Sequence, residues 1–228
     1  MILLLDSVPS HTLSFFRYTF DGLAHDCQGD GEFILLKSEQ RLIQARFAHF
    51  DPLSAGSWSV TKGVAIRDNE HTPLVQLNIP VLDVNKGTTV KLGEQSCPVL
   101  FYINGVERDV HEGSGIIDQV VVAVNENDIE IKYVESKLKV TVTFGSANER
   151  CYIDVIVYLP DKDASTIGLL GSADGDVWND WTNSEGEHIT VPDSLMNRMQ
   201  QDGYEYCTKH WCLREEVDSL QVRRGHKL

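Results

Sequence analysis

Five oxygen-bearing side chains crowd one late stretch of the chain: Ser172, Asp174, Asp176, Asn179 and Asp180, with glycines at positions 171 and 175 that let the backbone curl. A hard cation taking about six to eight oxygen ligands makes such crowding favourable, and Ca²⁺ is the species of that kind. Without a cation the carboxylates repel one another. The stretch is not an EF-hand, because its glycine is misplaced and no bidentate Glu stands at the twelfth position. Taken alone it fits a solvated acidic turn equally well, since Asp, Asn and Gly also build ordinary turns. An earlier segment, Thr19 to Phe33, also carries polar chemistry: tight turns at Asp21-Gly22 and Gly29-Asp30-Gly31 lie between apolar runs. His25 and Asp26 beside Asp21 can be drawn as an acid–base pair, although packing of His25 within the turn is the simpler reading. No Gly-x-Ser-x-Gly, His-Glu-x-x-His or phosphate-binding loop occurs.

Strands must position these segments, because the dominant hydrophobic period is two. In Cys151 to Leu159 every odd position is apolar, as expected near a sheet centre. Ile129, Ile131 and Tyr133 alternate with Glu130 and Lys132, and Leu138 to Phe144 alternates likewise, predicting a hairpin that turns near Ser136-Lys137. Asn104-Gly105 tolerates the positive φ of a type I′ turn and predicts another hairpin, Val99–Ile103 with Val106–Val110. Ile116 to Val124 reads as one run. Phe33–Lys37, Leu42–Phe47, Trp58–Ile66, Val75–Ile79 and Thr89–Leu92 are shorter strands. Many short strands at this spacing imply an antiparallel β-sandwich or barrel. One helix is expected near the end, capped by Asp193 or Ser194, with Leu195, Met196 and Met199 on one side and Gly203 at its C′ position. The tail from Arg223 is polar. The domain division is 1–190 for the β domain and 191–228 for the helix and tail packed on it.

The 228 residues carry 20 Lys plus Arg against 34 Asp plus Glu, a net charge of −14, which argues against nucleic acid. An acidic surface is repelled by anionic lipid and hospitable to cations. The longest apolar runs fall far short of a membrane span, so no membrane insertion is expected. Met1 to Leu5 is apolar, but Asp6 interrupts it and no basic flank or cleavage site accompanies it, so it reads as a first strand. If the protein is secreted, its leader is missing from this chain or the chain is a piece of a longer one. The 5 Cys are Cys27, Cys97, Cys151, Cys207 and Cys212. Cys207 and Cys212 are disulfide candidates, either with each other or as a staple of the tail to the sheet. Zinc at Cys207, His210 and Cys212 is a minor alternative. Cys151 reads as a small buried hydrophobe. Of the 4 Trp, Trp181 is expected in the core and Trp178 at the surface, where it can contact a partner.

The early and late segments together resemble the von Willebrand factor type D domain. That family has a strand entering Thr-Phe-Asp-Gly, then Gln-Gly and an apolar strand; here these are Thr19-Phe20-Asp21-Gly22 and Gln28-Gly29-Asp30-Gly31-Glu32-Phe33. Its late Cys-Gly-Leu-Cys-Gly-Asn-x-Asn-Gly, followed by Asp-Asp-Phe, corresponds to Ile167-Gly168-Leu169-Leu170-Gly171-Ser172-Ala173-Asp174-Gly175 and Asn179-Asp180-Trp181. The resemblance spans roughly residues 12 to 190, in the family's order and spacing. It implies a Ca²⁺ site joining Asp21 to Ser172, Asp174, Asn179 and Asp180, with a backbone carbonyl near Asp176. It also implies a bridge between the early turn and the late loop, both of whose cysteines are absent here, at Gly31 and Ile167. The family's Cys-x-x-Cys and Gly-Asp-Pro-His are missing too, so assembly or self-cleavage chemistry at those motifs does not carry over.

The expectation is therefore an all-β, antiparallel sandwich of this type with a short C-terminal helix. It would work outside the cell as a Ca²⁺-stabilised structural, adhesion or protein-interaction module. Its partner would be a protein or glycan of the extracellular matrix or cell surface, met in part by Trp178. The rival readings are a secreted enzyme built around such a domain, with His25 and Asp26 in a pocket, and a carbohydrate-binding module.

Overall fold

The computed structural model describes residues 17–25, 27–50, 58–80, 88–92, 95–111, 113–147, 150–189 and 200–213. The expected strand at Met1–Leu5, the helix cap at Asp193 or Ser194, the side chains Leu195, Met196 and Met199, the residue Asp26 and the tail from Arg223 lie outside them.

The described residues are all-β with one α-helix, and their two main sheets are antiparallel. A small ribbon pairs β1 (Arg17–Tyr18) with β2 (Ala24–His25). A seven-stranded sheet follows: β3 (Gly31–Lys37), β4 (Leu42–His49), β5 (Ser59–Arg67), β6 (Val75–Asn78), β8 (Gln95–Ile103) and β7 (Thr88–Leu92) in spatial order, with β9 (Val106–Arg108) also on β8. The second sheet is a five-stranded meander: β10 (Gly113–Ile117), β11 (Val120–Val124), β12 (Asp128–Tyr133), β13 (Lys139–Ala147) and β14 (Arg150–Tyr158).

The period-two pattern decides which face of the meander is buried. Ile129, Ile131, Val140, Val142, Ile153, Val155 and Val157 all lie inward, while Glu130, Lys132 and Thr141 face out. The inward residues join Phe33, Leu36, Ile43, Phe47, Val64, Ile66 and Leu77 of the larger sheet in one core. A buried hydroxyl and a disulfide are among the links that cross between the sheets. The buried Tyr133 hydroxyl donates to the Ile66 and Pro73 carbonyls at 2.8 and 2.9 Å. The disulfide Cys97–Cys151 joins β8 to β14. Cys151 is therefore a bridge residue, not the inert small hydrophobe expected from its strand position.

Two other expectations are corrected. The run from Ile116 to Val124 is a hairpin, broken at Asp118-Gln119, whose φ values of 47° and 72° are both left-handed. That turn lacks the glycine that normally advertises such a conformation. The helix α1 spans Gln200–His210, so Gly203 lies inside it and caps nothing. It ends instead with Lys209 in its last turn, where a cationic side chain complements the helix dipole, while burial and the Lys209 charge lower the pKa of neighbouring His210.

One buried cation sits at the seam between the sheets. Lys62 of β5 is 8% exposed, donates to the Cys151 carbonyl and lies over the Phe50 ring. Burial lowers its ammonium to about 8, and the charge of Arg150 adds to the effect. Its folded-state value lies below the unfolded one, so the unfolded chain binds more protons between about pH 8 and 10.5, and stability rises with pH across that window. The charged side chain thus opposes folding at neutral pH, by at most about 3 kcal/mol. We expect Lys62→Met to be relatively most stable at pH 7, with its advantage shrinking as pH rises toward 10.5. Urea midpoints at pH 7 and 10 check this; an unchanged difference would contradict it.

Candidate metal-binding loop

The late segment is carried to the early one by backbone pairing along the outer edge of β3. Lys37 and Ile167 exchange both hydrogen bonds, at 2.8 and 2.9 Å, and Leu169 and Leu170 donate to Ile34 and Leu35. Phe20 N then donates to the Leu170 carbonyl at 2.8 Å. The aligned Gly-Leu-Leu-Gly stretch therefore lies between β3 and the Asp21 turn.

Side chains complete the junction. The buried Thr19 hydroxyl donates to Asp180 Oδ2 at 2.5 Å, across a separation of 161 residues. Asp180 Oδ1 accepts from Ser172 N at 3.0 Å. Gly171, with φ of +70°, passes so close to Asp180 that a Cβ there would overlap the carboxylate. Asp21 Oδ2 accepts from Gly175 N at 2.8 Å and from Asp174 N at 3.3 Å. Asp21 Oδ1 is buried and has no hydrogen-bond partner among the described residues.

Around this core the loop satisfies its own groups. Asn179 Nδ2 donates to Asp174 Oδ2 at 2.8 Å, Asp176 N donates to Asp174 Oδ1 at 2.8 Å, and Ser172 Oγ donates to Asn179 Oδ1 at 2.8 Å. Asp176 caps the short 3-10 turn Val177–Asn179 by accepting from Trp178 N, which directs its Oδ1 to the backbone. Asp21, Ser172, Asp174, Asn179 and Asp180 are thus brought into one network. Among the described residues, no group of three or more His, Cys, Asp or Glu side chains forms a ready-made metal cage.

The electrostatics follow from this crowding. Burial pushes the Asp180 carboxyl up to about 7; the Asp21 and Asp174 charges add to the effect, while the Thr19 and Ser172 hydrogen bonds oppose it. Asp174 moves the other way, held below its usual range by hydrogen bonds from Asn179 and the Asp176 N–H. Anionic oxygens, amide oxygens and a hydroxyl are hard donors, which suit Ca²⁺ and not a thiophilic ion. The buried, partnerless Asp21 Oδ1 is the oxygen most in need of a positive partner, because a buried unpaired polar atom costs roughly 1–3 kcal/mol.

The remaining candidates fall elsewhere. His25 is fully buried, with Trp181 and Tyr206 edge-on to its ring at 6.5 and 6.4 Å. Its Nε2 lies 2.8 Å from the Leu169 carbonyl, so the proton is on that nitrogen and His25 holds the late loop by its backbone. Trp181 is 5% exposed and stacks on Tyr206 at 4.3 Å, whereas Trp178 is 55% exposed. Cys207 pairs with Cys27, stapling the helix to the early segment, and Cys212 belongs to neither bridge. With Cys207 in a disulfide, the zinc alternative loses a thiolate.

Two contributors escaped the sequence reading. Thr19 was visible in the Thr-Phe-Asp-Gly motif, but nothing marked its hydroxyl as the partner of Asp180. Lys162, which donates from Nζ to the Asp174 carbonyl at 3.0 Å, lies in a polar turn with no motif at all. Neither a protein-family model nor a curated protein matches the chain.

Proposed function

We propose that the chain is a Ca²⁺-stabilised, non-catalytic structural or interaction module of the von Willebrand factor type D kind, working outside the cell. The buried Asp21 Oδ1 carries this reading: its carboxylate is seated against the oxygen-rich loop and one of its two oxygens has no partner among the described residues. Asp21, Ser172, Asp174, Asn179 and Asp180 would hold the ion, after Asp174 and Asn179 exchange their mutual hydrogen bond for it. The ion would tie the early turn to the late loop, as the family's missing bridge does. Two disulfides fit an oxidising compartment, and no helix among the described residues is long and apolar enough to cross a membrane. The rim so formed presents exposed Trp178 to a protein or glycan partner.

A ligand that binds only the native state stabilises it by about 2.7 kcal/mol at a hundredfold excess over Kd. For a chain of this size that corresponds to a rise in Tm of roughly 5–10 °C. The test is thermal melting in EDTA and in millimolar Ca²⁺, for the parent and for Asp174→Ala. We expect Ca²⁺ to raise Tm of the parent and to act much more weakly on the variant. Identical melting of the parent with and without Ca²⁺ would overturn the proposal.

A further inference from the structure

Lys162 is placed by register, not by accident of a long side chain. Asp163 and Ala173 form an antiparallel bridge, with Asp163 N donating to the Ala173 carbonyl at 2.9 Å and Ala173 N to the Asp163 carbonyl at 3.2 Å. One step outward along that bridge, Lys162 stands opposite Asp174. Its Nζ donates to the Asp174 carbonyl at 3.0 Å. The same peptide unit is gripped from its other end, where Gly175 N donates to Asp21 Oδ2 at 2.8 Å. The Asp174–Gly175 peptide is therefore held between an ammonium on its oxygen and a carboxylate on its N–H. Gly175 makes room for this: a Cβ there would lie 2.7 Å from Lys162 Nζ, and its φ of +99° suits glycine alone.

We infer that Lys162 is a tethered counter-cation that competes with Ca²⁺ for the Asp21/Asp174 loop and so sets its affinity; this rests on the Ca²⁺ reading above. In the metal-free state the ammonium takes up the loop's main-chain oxygen and offsets part of its negative charge. A divalent ion entering beside Asp21 and Asp174 meets that positive charge, so it must push the ammonium outward. Lys162 is exposed and has water to move into, which makes the displacement reversible. The residue is thus an affinity-determining element, not a ligand. It stabilises the loop when Ca²⁺ is scarce and gives way when Ca²⁺ is plentiful.

The test is isothermal titration of Ca²⁺ into the parent, Lys162→Met and Lys162→Arg, with metal-free melting of all three. Lys162→Met should bind Ca²⁺ about fivefold more tightly, the effect of one unit charge several ångströms from a divalent ion in a water-screened site. Its metal-free Tm should fall slightly, and Lys162→Arg should behave like the parent in both readouts. Binding by Lys162→Met alone would overturn the Ca²⁺ reading for the native chain and the inference that rests on it. Equal or weaker binding by Lys162→Met, beside a parent that binds, would overturn the competition while leaving the Ca²⁺ reading intact. A Lys162→Arg variant that tracks Lys162→Met would show that charge is not the cause and would also overturn it. No binding by any of the three would overturn both readings together.

Discussion

Replacing Cys27 and Cys207 together by alanine should lower stability more than any single change in the Ser172–Asp180 loop. The bridge closes a loop of 180 residues, and both cysteines are fully buried. The chain-entropy relation gives about 5 kcal/mol for a loop that long, and native bridges of small domains are worth roughly 2–5 kcal/mol in practice. At about 2–4 °C per kcal/mol this is a fall in Tm of the order of 10 °C. The structural consequence is local first. Trp211 and Tyr206, both buried, are tied to each other by a 2.8 Å hydrogen bond from Trp211 Nε1, and Tyr206 stacks on Trp181. Trp211 also returns to β3, where its carbonyl accepts from Ile34 N at 3.0 Å. Releasing the bridge loosens this aromatic cluster, which backs the Asp180 segment. Melting of the double variant under non-reducing conditions checks the size, and a loss below about 1 kcal/mol would mean that packing alone seats the helix.

The second large effect is expected at Asp180. Its side chain is fully buried, and Asp180→Ala strands the Thr19 hydroxyl and the Ser172 N–H inside the protein. Two buried donors without acceptors cost roughly 2–4 kcal/mol together. Asp180 also imposes a pH dependence whose sign is unusual for a carboxylate. Its pKa is raised to about 7 in the folded protein, from an ordinary value near 4 when unfolded. Between those values the folded state holds the extra proton, so metal-free stability falls as pH rises from about 4 through 7. The decline amounts to at most about 4 kcal/mol, and Asp180→Asn should largely flatten it. Bound Ca²⁺ should reverse the trend, because the ion favours the ionised carboxylate. Denaturant melts at pH 5 and 7.5, with EDTA and with Ca²⁺, separate these outcomes; a parent more stable at pH 7.5 in EDTA would contradict the assignment.

Both effects arise at one junction. The early turn and the late loop touch through Thr19–Asp180, Asp21–Gly175 and Phe20–Leu170, and Cys27–Cys207 secures the helix behind it. A module of the proposed kind needs this rim to be rigid, since the exposed Trp178 is displayed from it. The loop reaches that rigidity by self-pairing, by Lys162 and, in the proposed working state, by Ca²⁺.

The strands were largely legible because burial of one sheet face imposes a period of two on the residues. Ile153, Val155 and Val157 declare β14, and Val140 and Val142 declare β13, whatever those strands pair with. The loop was legible as chemistry for a related reason: crowded oxygens are unfavourable without a cation or a hydrogen-bond network, and so they stand out by composition. The break at Asp118-Gln119 was not legible, because those residues adopt left-handed backbone only under the constraint of the paired strands. Helix limits failed likewise at Gly203, whose cost inside α1 is offset by tertiary anchoring of Tyr206, Cys207 and Trp211. Local sequence thus determines strand identity and the inventory of oxygen-bearing side chains in the loop, since periodicity and composition act over a few residues. Which cysteine meets which, why Thr19 rather than water holds Asp180, and where Lys162 rests depend on partners far apart in the chain. Those choices belong to the packing of the two sheets, because only a closed core brings such distant groups within hydrogen-bonding reach and removes the water that would otherwise satisfy them.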